Sequence, residues 1–480
     1  MKQIAWTEID LKEEEICALS DKIWEYAETR FEEQQSAKAI CDMLRSEGFT
    51  VEGGIAGINT AFTGTFGSGK PVIGFLGEYD ALFGMSQVAD VIEKQEIVAG
   101  GAGHGCGHNL LGCGTLAAAI GVKRYLEEAG REGTIVYFGC PGEEGGSGKA
   151  FMAGQHVFDN VDAVLDWHPS PLTRPSSASS LANYQIYYKF YGTSAHAGGA
   201  PHLGRSALDA LELMNMGVQF LREHIIPEAR IHYAITNTGG FSPNVVQPYA
   251  EVLYLIRAPK NSQVEEIYKR VNKIAEGAAH MTETRVEIDF VKGCSNIVPN
   301  KTMTKLMWDN LNEVGVPEYT EEELAYAKKL NETVTMNRYE SIDKLIKYSN
   351  NKYSDKQIVR ELQAHRDDVI HNFVGPWDLD NIVPTTSSDV GDVSWNCPTA
   401  HTVVTTWTAA THGHSWQVVA QGKSSIAKKG MIYAAKAMAG AAIDLFEKPE
   451  LVEAAWADFK EALDGETYHC PIPEGCKPRI

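Results

Sequence analysis

Four apolar runs along this chain each end at a group of acidic or histidine side chains, and helix-like segments separate the runs. Runs of this length without polar alternation are typical of strands that are covered on both faces of a sheet. Their alternation with helices predicts an α/β fold, with an open mixed sheet flanked by helices. The runs occupy residues 71–76, 134–140, 161–167 and 401–409.

The side chains that follow the four runs are of the types that bind metals and transfer protons. In an open α/β sheet, ligands bind in the crevice beyond the carboxyl ends of the strands, so we expect these side chains to converge at one edge. A single histidine after a strand is usually a capping or packed residue, but the same coincidence at four strand ends favours a metal site. The side chains are those of Asp80, Glu143, Glu144, His168, His412 and His414.

A glycine-rich loop at residues 100–116 supplies further candidate ligands. His104, Cys106 and His108 alternate along it, so in extended backbone their side chains project to the same side. This spacing favours a metal ion held by neighbouring side chains. The alternative is a catalytic or buried cysteine beside incidental histidines. The residues that follow, 109–130, predict a buried helix.

A second domain is predicted at residues 183–301, where strands and helices follow the order β-α-β-β-α-β of the ferredoxin-like unit. We therefore expect residues 1–182 and 302–480 to form the metal-binding catalytic domain, with a ferredoxin-like α+β lid or dimerisation domain inserted between them. The exposed edge of the inserted sheet is a reasonable site of dimerisation. Residues 305–381 are polar and helical, which is typical of a surface excursion or lid without chemistry of its own.

Composition excludes several classes of partner. A formal net charge of -20 argues against nucleic acid and anionic membranes, because phosphates would be repelled. Nine irregularly spaced cysteines do not form a disulfide framework, so free thiols and a cytoplasmic location are expected. Residues 1–15 have no secretory signal pattern. Residues 430–446 are apolar but carry Lys436 and Asp444, which predicts a packed helix and not a membrane span.

Five short motifs, spread over most of the chain, resemble those of a known family. They are HGCGHN at 104–109, PGEEGG at 141–146, WHP at 167–169, GTSAHA at 192–197 and HSW at 414–416. As an ordered set they resemble the M20 metallopeptidases, specifically the amidohydrolase branch that acts on N-acyl amino acids. One departure is Asn109, which stands where the family usually has Asp after the CGH motif.

The resemblance implies a site with two divalent metal ions, Mn²⁺ or Zn²⁺. The implied ligands are Cys106, His108, Glu144, His168 and His414. It also implies that Glu143 is the general base, that Asp80 orients a ligand and that His196 stabilises the oxyanion. Asn244 and Arg257 are implied to hold the carbonyl and carboxylate of the substrate, although a surface salt bridge is an alternative role for Arg257. Neither His104 nor His412 is called for by the pattern.

The implied reaction is hydrolysis of the amide bond of an N-acyl amino acid by a metal-activated water. The leading substrate is p-aminobenzoyl-glutamate, which would give p-aminobenzoate and glutamate. Alternatives are another dipeptidase or aminoacylase, or a subunit that supports a related catalytic partner. A homodimer or a heterodimer with a related subunit is expected, with His196 serving its own subunit or the neighbouring one.

Overall fold

The computed structural model describes residues 1–380, 382 and 385–479. Its strands are β1 (Thr50–Gly53), β2 (Phe62–Ser68), β3 (Val72–Gly77), β4 (Gly133–Gly139), β5 (Ala163–Ser170), β6 (Arg174–Pro175), β7 (Ala182–Tyr191), β8 (Arg230–Asn237), β9 (Tyr249–Ala258), β10 (Arg285–Cys294) and β11 (Thr399–Thr405). Its helices are α1 (Lys2–Tyr26), α2 (Gln34–Ser46), α3 (His108–Ala129), α4 (Glu143–Gly146), α5 (Gly148–Gly154), α6 (Ala207–Leu221), α7 (Asn261–Met281), α8 (Lys301–Val314), α9 (Glu321–Glu332), α10 (Glu340–Lys352), α11 (Gln357–Ala364), α12 (Val390–Ser394), α13 (Trp416–Gln421), α14 (Ser425–Glu447) and α15 (Pro449–Leu463).

Seven strands form a mixed sheet in the order β1-β2-β4-β3-β5-β11-β6. The four central strands β4, β3, β5 and β11 are parallel. β2 and β6 run antiparallel to them, and β1, which pairs antiparallel with β2, runs in the same direction as the central strands. These central strands correspond to the four apolar runs, so the predicted fold class is confirmed.

The C-terminal ends of two strands differ from the prediction by three or four residues. β5 continues through His168 to Ser170, because it pairs in register with β11 as far as Thr405. β11 ends at Thr405, four residues earlier than expected, because its partner strand ends there; the next N–H, that of Thr406, donates to the carbonyl of Ser170. His168 therefore lies inside a strand and not beyond its end.

The main core lies between the sheet and helices α1, α3 and α14. Helix α3 is rich in small residues, which lets it approach the sheet closely. A Cβ at Gly112 would lie 2.5 Å from the carbonyl oxygen of Glu78, just after β3. Glycine at this position therefore brings the start of α3 against the end of β3.

The inserted segment forms a separate antiparallel sheet in the order β10-β7-β9-β8. Helices α6 and α7 cover one face, where the alternate side chains of β7 and β9 are buried. This is the strand order of the ferredoxin-like unit. The strand β8 is an edge strand, and most of its residues are exposed.

The polar region after residue 301 is only partly a surface excursion. Helix α8 belongs to the core, because Leu306, Met307 and Leu311 are buried beside α14. Its amphipathic pattern explains why residues 305–314 were wrongly grouped with the polar helices. Helices α9–α11 lie outside the main core and contribute to two smaller apolar clusters, and Asn381 lies outside the described residues.

Within the described part of the chain, none of the helices combines the length and hydrophobicity that a membrane span requires.

Candidate metal centre

The first group of candidate ligands lies where the glycine-rich loop enters α3. Gly107, with φ at 79°, turns the backbone immediately before the helix begins at His108. This turn places Cys106 beside β5, where its Sγ lies 3.3 Å from Nε2 of His168. Ligand atoms of Cys106, His108 and His168 all lie within 4.8 Å of one another.

The second group shares Cys106 with the first. Ligand atoms of Cys106, Glu144 and His414 also lie within 4.8 Å of one another, and Nε2 of His414 is 3.0 Å from Oε1 of Glu144. The N–H of His414 donates to the carbonyl of Gly105 at 2.9 Å, so the late loop is fixed against the first one. The five implied ligands thus form two triads joined at one thiol.

Asp80 contacts both halves of the cluster. Its Oδ1 lies 2.8 Å from Nδ1 of His108, and its Oδ2 accepts the backbone N–H of Glu144 at 2.8 Å. A carboxylate on one ring nitrogen of a histidine fixes the tautomer and leaves the other nitrogen for a metal. The geometry is the one expected of an orienting carboxylate.

Burial and neighbouring charges shift the pKa values of His168 and of the two adjacent glutamates, and the two glutamates shift in opposite directions. Burial and the nearby charge of His108 lower the pKa of His168 to about 3, so its imidazole is neutral. Burial opposes ionisation of Glu144, but the bond from His414 and the charge of His108 lower its pKa to about 2. Burial and the neighbouring carboxylates of Glu78 and Glu144 raise the pKa of Glu143 well above its usual range.

Unsatisfied atoms mark the place where a metal would fit. Oε2 of Glu78 and Nε2 of His108 are buried without a hydrogen-bond partner among the described residues. Buried polar atoms normally have partners, and divalent ions bind these atom types. The thiolate and imidazole donors suit Zn²⁺, whereas the carboxylates also suit Mn²⁺.

His196 and Asn244 lie on the inserted domain and are exposed. Their segments are joined by backbone bonds, with Ala197 N–H donating to the carbonyl of Asn244 at 2.9 Å. Nδ1 of His196 accepts the N–H groups of Gly198 and Gly199. Within the described residues, no hydrogen bond or ion pair connects His196 with the five candidate ligands.

Arg257 lies on the face of β9 opposite to the buried one. Its Nη1 lies 3.3 Å from Oγ of Ser387, and its Nε is buried without a hydrogen-bond partner. Among the residues that the structure describes, no carboxylate forms a salt bridge with Arg257, which was the alternative role expected for it. The guanidinium retains donors for an anion.

The histidines that the motif pattern does not call for have other partners, as does Asn109. Nε2 of His104 contacts the carbonyl of Ile23 at 3.0 Å, and Nε2 of His412 contacts that of Met336 at 3.2 Å. The Nδ2 group of Asn109 donates to Ser20 and to the carbonyl of Gly422. Asn109 therefore connects α3 to its surroundings.

Two buried residues of the site, Glu78 and Lys149, have no role assigned from the sequence. The only signal for Glu78 in the sequence is its place as the first residue of the Glu-Tyr-Asp element that ends at Asp80. For Lys149, the available signal is a lysine in an otherwise small and apolar helix, GKAFMAG, directly after the glutamate pair.

Comparison with known families identifies the class of protein. The model of Peptidase family M20/M25/M40 matches residues 74–369, so the chain belongs to this family. It is a hydrolase of amide bonds, as the motifs predicted. One relative is a subunit of the p-aminobenzoyl-glutamate hydrolase of Escherichia coli strain K12, 49% identical over 96% of this chain and 95% of its own length. The Xaa-Arg dipeptidase of Mus musculus is 27% identical over 97% of this chain and 94% of its own length.

Solved structures share the fold. An aminobenzoyl-glutamate utilization protein from Klebsiella pneumoniae superposes with a TM-score of 0.58 at 16% identity, covering 91% of this chain and 97% of its own. A dinuclear metal-binding peptidase of the M20 family from Bacillus subtilis superposes with a TM-score of 0.52 at 15% identity, covering 91% of this chain and 99% of its own.

Proposed function

We propose that the chain binds two divalent ions, Mn²⁺ or Zn²⁺, and hydrolyses the amide bond of N-acyl amino acids. The observation that carries this proposal is the pair of ligand triads that share Cys106. Each triad supplies three donors, which leaves coordination positions for water and substrate. Bound ions would polarise the amide carbonyl and lower the pKa of a water molecule.

Glu143 acts as the general base in this proposal. Its carboxyl lies beside Glu78 and His108, one of the proposed ligands, where it is placed to take a proton from a water molecule bound at the site. Glu144 stays ionised and is the member of the pair that binds metal. The proton taken up by Glu143 is then delivered to the nitrogen of the leaving amine.

Three residues of the inserted domain, Arg257, Asn244 and His196, bind the substrate in this proposal. The guanidinium of Arg257 has an unpaired buried Nε, and its planar donors match a substrate carboxylate. Asn244 holds the carbonyl and His196 stabilises the oxyanion. The name of the Escherichia coli relative supports p-aminobenzoyl-glutamate as the leading substrate.

The domain division into residues 1–182 with 302–480 and residues 183–301 is part of the proposal. It is supported by two separate groups of buried apolar side chains, one around the seven-stranded sheet and one within the inserted sheet and its helices. The cytoplasmic location expected from cysteine usage stays a prediction.

The inserted domain is also the proposed dimerisation surface. Large apolar side chains are exposed on the outer side of α6, along β8 and in the loop after it; they are Leu213, Met216, Phe220, Tyr233, Ile235 and Phe241. Exposed apolar patches beside an unpaired strand edge are typical of protein interfaces. The partner is a second copy or a related subunit, because the relatives in Escherichia coli include two different subunits of one hydrolase.

The test is to load the purified chain with Mn²⁺ or Zn²⁺ and to measure release of p-aminobenzoate from p-aminobenzoyl-glutamate by chromatography. Release that disappears in Glu143→Gln supports the proposal. Hydrolysis of dipeptides but not of this substrate would favour the dipeptidase alternative. Activity only after co-expression with a related subunit would favour a supporting role, and a metal-loaded chain that cleaves no N-acyl amino acid under either condition would refute the proposal.

A further inference from the structure

Glu78 approaches the metal-facing side of His108. It follows β3 directly and is only 2% exposed. Its Oε2 lies 3.1 Å from Nε2 of His108, the ring nitrogen that Asp80 leaves free. Both atoms lack a hydrogen-bond partner in the described part of the chain, although they are close.

This separation is the one expected of two neighbouring ligands on one ion. Histidine nitrogen and carboxylate oxygen each lie about 2.1 Å from Zn²⁺, so at tetrahedral or octahedral angles they are roughly 3.0–3.4 Å apart. Ligand atoms of Glu78, His108 and Glu143 also lie within 4.8 Å of one another, which makes a third group around the same histidine. Glu78 is therefore placed to share an ion with His108.

Lys149 accounts for the position of Glu78. Its Nζ lies 2.6 Å from Oε1 of Glu78 and 2.5 Å from Oδ1 of Asp389, and all three side chains are buried. The backbone N–H of Lys149 also donates to Oδ2 of Asp389 at 2.9 Å. Buried charges require such pairing. The arrangement satisfies one oxygen of Glu78 and leaves the other directed at His108.

We propose that Glu78 is a sixth ligand of the metal centre, on the ion held by His108, and that Lys149 is the positioning residue that aims it. The inference rests on the proposed function only in assuming that the site binds metal. If Glu78 instead only accepts a hydrogen bond from His108, it has no part in holding the ion.

The direct test measures metal binding by Glu78→Gln, independently of activity. Equilibrium dialysis with Zn²⁺ and elemental analysis should show that one of the two ions binds roughly 100-fold or more weakly, beyond the 10- to 100-fold typical of an outer-shell partner. The visible spectrum with Co²⁺ should also change, because the ion loses a carboxylate. Asp392→Asn removes another fully buried carboxylate and should leave both measurements unchanged.

Lys149 is tested by two substitutions at its own position. Lys149→Met should weaken the same ion by roughly 10- to 100-fold, as expected for loss of a positioning residue. Lys149→Arg keeps the charge and should recover part of the affinity, which a general loss of stability would not predict. If Lys149→Met binds both ions as the wild type does, its positioning role is wrong.

The proposal can still be tested if Glu78→Gln does not fold. If Glu78→Gln is unstable, the triple variant Glu78→Gln/Lys149→Met/Asp389→Asn removes the buried charges of all three partners and should fold with one weakly bound ion. Wild-type affinity for both ions in any folded variant without the Glu78 carboxylate overturns the inference and leaves the proposed function standing. A wild-type chain that binds no metal overturns both.

Discussion

The Sγ atom of Cys106 lies 3.3 Å from Nε2 of His168 on one side, and the same thiol contributes to a second triad with Glu144 and His414. Separate regions of the chain thus meet at one sulfur. Because a thiolate can bridge two ions, its loss should affect both of them and not only one.

We therefore predict that Cys106→Ala lowers the content of both metal ions. His168→Ala removes a ligand from one triad only and should lower the content of one ion, with the other retained. Elemental analysis after dialysis against a fixed Zn²⁺ concentration distinguishes the two patterns. Equal losses in both variants would argue against a shared cysteine.

Glu143→Gln should abolish turnover while leaving the metal content near that of the wild type. The amide keeps the shape of the side chain but cannot take up a proton, and loss of a general base typically costs about 10²- to 10⁴-fold in rate. The measurement is kcat together with metal stoichiometry. A variant that loses metal in parallel with activity would show that Glu143 is a ligand.

Arg257→Ala should raise KM more than it lowers kcat, because its guanidinium is proposed to hold a part of the substrate that does not react. The unpaired buried Nε makes this arginine available for a carboxylate. N-acyl amino acid amides, which lack that carboxylate, should be hydrolysed equally by the variant and the wild type. A variant that discriminates between acid and amide as the wild type does would rule out this contact.

Much of the fold could be predicted because its signals are local. The four central strands are covered on both faces, so they appear as apolar runs, and their ends carry the acidic and histidine residues that meet at the sheet edge. The inserted sheet shows the two-residue alternation of β7 and β9 directly in its sequence. These features require no knowledge of distant contacts.

The remaining features depend on tertiary contacts that leave little local pattern. Lys149 is fully buried because Glu78 and Asp389, 71 and 240 positions away, pair with it. β5 extends past His168 because β11 pairs with it, which no pattern within residues 161–167 indicates. Helix α8 looked polar because only one of its faces is buried.

The exposure of His196 leads to a prediction about the assembly. Within the described residues its ring forms hydrogen bonds only with its own loop, so a role at the oxyanion requires domain closure or a neighbouring subunit. If the neighbour is used, His196→Ala and Glu143→Gln are each inactive alone, but mixing them with subunit exchange should restore activity, because half of the sites in a mixed dimer then contain both residues. Mixtures that stay inactive despite exchange, shown by differently tagged subunits, would indicate that His196 serves its own subunit.

The last prediction concerns stability and a buried carboxyl away from the metal ligands. Asp392 accepts the N–H and hydroxyl of Ser295 and the hydroxyl of Tyr468, yet burial raises its pKa from 3.8 to about 7. The folded chain therefore binds this proton more tightly than the unfolded chain does. The contribution of Asp392 to stability is largest below pH 4, falls by about 1.4 kcal/mol per pH unit between about pH 4 and 7, and is constant above that range.

Asp392→Asn should remove this component of the pH dependence. Urea unfolding of both proteins, each in excess chelator so that metal binding does not contribute, gives the difference in free energy of unfolding at each pH. The advantage of the wild type over the variant should shrink as the pH rises from 4 to 7. An advantage that grows with pH would mean that the bonds from Ser295 and Tyr468 outweigh burial and keep Asp392 ionised in the folded chain.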